Sequence, residues 1–286
     1  MKYATALVAL LCMLAPQLGA AQTGATLERI KQTGTVKIGF RENEPPMSFL
    51  NKEKKPVGYS IDLCTRIVNE VKNTLQKPDI AIEFVPVSAT DRFEAVASDK
   101  IDILCGATTM TLSRAEKVDF TQLTFVTGAA LLSLEQVSVD GISDLQGKKV
   151  AVVKNTTTIE HLTKALKDAV SDAMVVAVDS ASEGMKALVS GEVQAFASDQ
   201  VVLIGLAVSH KGPEKFAISD DVFSFEPFAL AVRRNDADFR LLANRALSRL
   251  NRSGQITPIY KKWFGQFSDK VPTMLEAMYM LNSTPE

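Results

Sequence analysis

The residues of this chain best suited to chemistry are arginines, threonines and one aspartate, each just beyond a strand-forming run. In residues 105–121, CGATTMTLSRAEKVDFT, a strand ends at Cys105 and Thr111 is placed to cap a helix starting at Leu112. A helix start favours an anion, and Arg114 in its first turn is unfavourable unless one lies nearby. Arg114 is therefore either a solvated surface residue or a planar fork for a carboxylate, with the Thr109 hydroxyl as a further donor. After the strand 150–153, NTTTIE puts Thr157 at a helix N-cap with Glu160 three residues on, the pattern of a capping box. Three consecutive threonines exceed what a cap needs, so Thr156 or Thr157 could face the same anion across a cleft. Asp199 ends a later strand. It either caps the helix expected at 200–209 or receives an ammonium group. Arg41 follows the first strand and Arg92 opens the helix after the second; together they would make one cleft wall positive.

These positions depend on a repeated alternation of periods. TVKIGF at 35–40 reads as a strand, and Ser60 as the cap of a helix with Ile61, Cys64, Ile67, Val68, Val71 and Leu75 on one face. Strands at 80–87 and 101–106 flank a short helix at 91–98. A second unit repeats the order: strand 148–154, helix from about 157, strand 174–178, helix 182–189 and strand 193–198. Such alternation implies parallel pairing with right-handed crossovers. Extended segments at 124–134 and 224–234 link the units, and an amphipathic helix follows at 236–251. The expected architecture is α/β, two lobes with a ligand cleft between them at the strand C-termini.

With 46% hydrophobic residues and a formal net charge of −1 over 286 residues, the chain reads as globular. The charge balance argues against a nucleic-acid partner acting through a basic face. Two histidines, three cysteines and no CxxC or HxxxH spacing argue against structural zinc, and no cofactor is implied. Lys2, an apolar run from Ala4 to Leu14, Pro16, and small residues at Gly19 and Ala21 have the anatomy of a cleavable signal peptide, residues 1–21. That run is too short to span a bilayer, which takes about twenty helical residues. Of the cysteines beyond it, Cys64 and Cys105, an oxidising compartment permits a bridge, but two buried thiols suit the pattern equally.

Across the whole chain beyond residue 21, the segments GFRENEPPMSF, VGYSIDLC, ATDRFEAVASDKIDILCGATTMTLSRAEKVDFT, DLQGKKVAVVKNTT, ALVSGEVQAFASD and YKKWFG resemble, in order, a known family. This is the periplasmic solute-binding proteins of polar amino-acid ABC transporters, the glutamate/aspartate and general amino-acid group. The resemblance implies the type II periplasmic binding protein fold, two lobes that close on two hinge strands. Lobe 1 would comprise residues 22–127 and 222–286, lobe 2 residues 128–221, with hinges near Thr127 and Val222. It also implies a monomer in the periplasm that hands its ligand to a membrane permease. By position, Arg114 and Thr109 fall to the ligand α-carboxylate, with Thr157 or Thr156 reaching it from the other lobe. Asp199 falls to the α-ammonium, aided by the Ala107 carbonyl, and Arg41 and Arg92 to an acidic side chain. The chain departs from the glutamate/aspartate members at Ala181, in place of a histidine, and at Ala89, in place of a serine. Met47 stands where many relatives carry an aromatic ring.

Two rival readings share this scaffold. One is a periplasmic enzyme similar to cyclohexadienyl dehydratase, whose acid would be sought among Glu42, Glu44 and Glu226; nothing in the sequence pairs any of them with a second titrating group. The other is a ligand-sensing module for a receptor.

Overall fold

The computed structural model describes residues 25–268 and 270–286, so the expected signal peptide lies outside the described residues. The alternating periods become two five-stranded sheets flanked by helices. The first runs in the order Ala81–Pro86, Thr35–Phe40, Ile103–Cys105, Glu226–Arg233, Val118–Thr127. The second runs Met174–Val178, Lys149–Val153, Ala195–Asp199, Ala129–Leu134, Phe216–Ile218. In each, the first three strands are parallel, as their βαβ connections require. The remaining pairings are antiparallel, which makes both sheets mixed rather than mainly parallel.

The crossings between lobes account for this difference in the first sheet. Val118–Thr127 carries the chain out through Gly128 into Ala129–Leu134, and Glu226–Arg233 brings it back, with Glu226 opposite Thr127. An outgoing and a returning leg laid side by side must run in opposite directions. They remain close beyond the sheet: the Phe223 amide donates to the Ala129 carbonyl at 2.9 Å, and the Ala129 amide to Ser224 Oγ at 3.0 Å.

Helix Tyr59–Leu75 shows how packing overrides a local rule. Its apolar face, including Ile61, Cys64, Ile67, Val68 and Val71, is buried as the periodicity predicts. Ser60, however, is not its cap. The N-cap is Gly58 at φ +141°, where a Cβ would stand 2.2 Å from the Met47 carbonyl oxygen, so only glycine fits. Ser60 instead donates from Oγ to the Gly106 carbonyl at 3.1 Å and holds the loop after the third strand. Cys64 and Cys105 form a disulfide across a Cα separation of 6.5 Å, fastening the helix to the base of that loop. The sequence left this pairing open. A small antiparallel sheet, Asn43–Glu44, Ser48–Leu50 and Pro56–Val57, was not anticipated. Nor were the separate helices Ile256–Phe264 and Thr273–Leu281 near the C-terminus.

The lobes touch across the cleft. Gly205, in helix Gln200–Ser209, lies so close to the small sheet that an added Cβ would sit 2.1 Å from the Pro45 carbonyl oxygen. Gly205→Val should hold the lobes apart. Solution scattering should then show a larger radius of gyration, while the ligand-free melting temperature stays near that of the wild type. Replacing both bridged cysteines by serine should lower stability by up to about 4 kcal/mol, the loop-entropy value for cysteines this far apart, measured by denaturant unfolding.

Candidate functional site

The C-terminal ends of the parallel strands from both sheets open on one narrow cavity whose free space is about 30 Å³, so the lobes stand closed around its lining side chains. All eight residues singled out from the sequence line it: Arg41, Arg92, Ala107, Thr109 and Arg114 from one lobe, and Thr156, Thr157 and Asp199 from the other. The structure thus brings the whole predicted set together, although several of these side chains have partners that the sequence did not reveal.

Arg41, the residue after strand Thr35–Phe40, pairs through Nε with Glu44 Oε1 at 2.9 Å, and both side chains are largely buried. The other Glu44 oxygen accepts the Ala107 amide at 3.2 Å. Glu44 therefore links the first arginine to the loop after the third strand. Arg92 is 4% exposed and lies over the Phe93 ring. It donates to the Ala89 carbonyl at 2.5 Å and, across the cleft, to the Asn155 carbonyl at 3.2 Å. Burial, with the Arg41 and Arg114 charges beside it, pulls the Arg92 guanidinium down to about 9; it remains a cation at neutral pH. Arg114 also faces the Phe93 ring and donates from Nη1 to the Thr109 carbonyl at 2.8 Å. Burial lowers its pKa, opposed by the acids Glu226, Asp199 and Glu160.

Thr111 caps as expected, accepting the Arg114 amide at 3.2 Å. The helix it starts is a single turn, Leu112–Ala115, so its dipole adds little. Any anion held here relies on the guanidinium.

Two predicted caps are corrected. Thr156, not Thr157, occupies the N-cap of helix Thr157–Asp168, and its hydroxyl donates to the Val153 carbonyl at 2.7 Å. Thr157 is one residue further on and 8% exposed, with its hydroxyl turned into the cavity floor. Asp199 does stand at the N-cap of helix Gln200–Ser209, but its side chain makes no cap bond. The residue is partly accessible, yet its Oδ1 is fully buried without a partner. Burial, reinforced by Glu226 and Glu44, pushes its carboxyl well above the usual carboxylate range, against the pull of Arg114 and Arg92.

Arg41 Nη1, Arg92 Nε and Asp199 Oδ1 are three of the four buried, unpartnered side-chain polar atoms among the described residues. Buried polar groups are normally satisfied. Their concentration in one cavity, as two donors and an acid acceptor, is the chemistry of a site for a ligand with both anionic and cationic groups.

Glu226, the first residue of the returning strand, is 0% exposed. Its Oε2 accepts the hydroxyls of Thr109 at 2.5 Å and Thr157 at 2.7 Å, and its Oε1 accepts Ser224 at 2.7 Å. His161 Nε2 lies 4.0 Å from Oε1. The sequence had named Glu226 only as a general acid for an enzyme. The available signal was an acid inside an otherwise apolar extended run, SFEPFALAV. Of the three departures noted above, Ala181 lines the cavity, Ala89 packs in the second lobe's core, and Met47 is buried in the first lobe's core.

A two-lobed α/β fold, with a polar cavity between the lobes at the strand C-termini, defines the class: a type II periplasmic binding protein. The profile of bacterial extracellular solute-binding proteins, family 3, matches residues 36–266, and the chain belongs to that family. It is 35% identical over 264 residues to an L-glutamate/L-aspartate-binding protein of Pseudomonas aeruginosa, covering 92% of this chain and 86% of the relative. It is 30% identical to a glutamate/aspartate import solute-binding protein of Salmonella typhimurium, over 86% and 82% of the two chains. Among solved structures, an ancestral arginine-binding protein bound to glutamine superposes with a TM-score of 0.73 at 30% identity, covering 81% of this chain and 98% of that one.

The state of Asp199 yields a signed prediction. A carboxyl whose folded pKa is raised favours the folded state below its unfolded pKa, and that contribution is lost as pH rises through the folded value. The ligand-free protein should therefore lose stability above about pH 4, where the unfolded chain releases this proton and the folded one retains it. Asp199→Asn should raise the ligand-free melting temperature, by a margin that grows from pH 5 to pH 7.5. A margin that is flat or shrinks over that range would show that Asp199 carries no such cost.

Proposed function

We propose that this protein captures a free acidic L-amino acid, glutamate or aspartate, between its lobes and delivers it to a membrane ABC permease. The observation that carries the reading is the placement of three arginines and Asp199 around one cavity, with open donors on one side and an open acid on the other. Counted among the lining residues alone, Arg41, Arg92 and Arg114 against Glu44 and Asp199 leave a formal +1, which Glu226 offsets from behind Thr109 and Thr157. The named ligands of the Pseudomonas and Salmonella relatives support the same choice.

In this reading Arg114 holds the α-carboxylate, assisted by Thr109 and by Thr157 or Thr156. Asp199 and the Ala107 carbonyl take the ammonium, and Arg41 and Arg92 receive the side-chain carboxylate through their free N–H groups. Residues 22–127 with 222–286 form one moving body and 128–221 the other, turning near Thr127 and Val222. Contacts from both bodies are complete only on closure, so binding shifts the open–closed balance. The chain acts as a periplasmic monomer after removal of residues 1–21, and it carries out no reaction. Glu44 and Glu226, the cavity acids that an enzyme would use, are engaged by Arg41 and by three hydroxyls.

Calorimetry tests this. L-Glutamate or L-aspartate should bind at micromolar level, about −8 kcal/mol. Losing one partner of a buried charge pair costs about 2–5 kcal/mol, so Arg114→Ala should abolish detectable binding without lowering the ligand-free melting temperature. Glutamate should outcompete glutamine by at least about tenfold, or 1.4 kcal/mol. Equal affinities would remove Arg41 and Arg92 from side-chain recognition.

A further inference from the structure

Glu226 performs no role in that account, yet it is the most completely buried acid at the cavity. One carboxylate oxygen accepts Thr109 from the first lobe and Thr157 from the second, and the other accepts Ser224 on the returning crossing. Ser224 in turn accepts the amide of Ala129 on the outgoing crossing. A single side chain thus joins both lobes and both crossings through its own hydrogen bonds. The Thr109 hydroxyl is the one assigned above to the ligand carboxylate, and the Thr157 hydroxyl is one of the two candidates for it from the other lobe; Thr156 already donates to the Val153 carbonyl. A hydroxyl has one proton to donate, so each can serve Glu226 or the ligand, not both.

We propose that Glu226 is a positioning residue that latches the empty cleft shut by standing in for the ligand carboxylate, and that the ligand displaces it from Thr109 and Thr157. The inference rests on the assignment of those threonines to an anionic ligand group. Its energetic consequence runs opposite to that of an ordinary structural contact. The latch stabilises only the closed, empty form. In the liganded form the hydroxyls have turned to the ligand, and Glu226 remains as a buried negative charge beside an anion, cancelling the +1 of the lining residues. Removing that charge frees the two donors and removes the repulsion.

The test is Glu226→Gln, which keeps the shape and weakens the charge-assisted bonds. Solution scattering on the ligand-free variant should show a larger radius of gyration than the wild type, because fewer molecules are closed. Calorimetry with L-glutamate should show tighter binding, by about fivefold, the lower end of ordinary coupling between sites. Thr157→Val removes a hydroxyl that both users need, so the empty protein should expand and binding should weaken. Glu226→Gln with unchanged compactness, or with weaker binding, overturns the proposal, since a merely structural carboxylate would give that result. Should this variant fail to fold, Thr157→Val decides: an empty protein as compact as the wild type overturns the latch. If the wild type binds neither glutamate nor aspartate, the ligand assignment has failed, while the compactness of the empty variants still decides whether Glu226 closes the cleft.

Discussion

Charges removed from water must find partners, and this requirement organises the molecule more than any single packing contact. Three guanidinium groups and three carboxylates meet where the two lobes touch, in surroundings where an uncompensated ion costs several kcal/mol. Arg41 satisfies part of its demand with Glu44, Arg92 with backbone carbonyls from both lobes, and Glu226 with three hydroxyls. Among the charged side chains of the described residues, the buried atoms left unsatisfied lie in the cavity, and they are asymmetric: cationic donors on the first lobe and an acid on the second. A zwitterion with an extra carboxylate meets both demands at once. A purely anionic molecule meets only one.

The fold supplies this convergence by a simple device. In a parallel strand–helix–strand unit every strand delivers its C-terminal end to the same edge of the sheet. Two such units facing each other place up to six strand ends around one space. The two crossings then keep the units in register. They are adjacent strands in the first sheet, and they stay hydrogen-bonded through Ala129, Phe223 and Ser224 as they enter the second lobe. Glu226 sits at the end of the shared pair, so a buried carboxylate bonded to two cavity threonines also stands at the crossings. Cavity and crossings are physically continuous here.

Much of this was legible in the amino-acid order. The period of two in TVKIGF and of 3.6 across residues 60–75 placed the elements to within a few residues. Arg41, Arg92 and Asp199 were singled out because they follow strands, and Arg114, Thr109 and Thr157 because they stand at or beside helix starts; every one of them lines the cavity. The caps were the weak point. Ser60, Thr157 and Asp199 each satisfy the local pattern of a helix start, yet none makes the predicted bond. Ser60 turned to the Gly106 carbonyl and Thr157 to a buried carboxylate. A hydrogen bond to an ionised acceptor is about twice as strong as a neutral one, so for Thr157 the distant partner prevailed over the local amide.

By itself, the order of residues determined which segments become strands and helices and which side chains stand at their ends, because those properties depend on neighbours within a few positions. Only the tertiary structure decided how those ends are wired. The Cys64–Cys105 bridge, the pairing of Arg41 with Glu44 against the Ala107 amide, and the reach of Glu226 to both lobes join groups far apart in the chain or fixed by a distant loop. Thr109 and Glu226 are 117 residues apart. No local period encodes their meeting, which exists because two sheets stack their strand ends around one buried space.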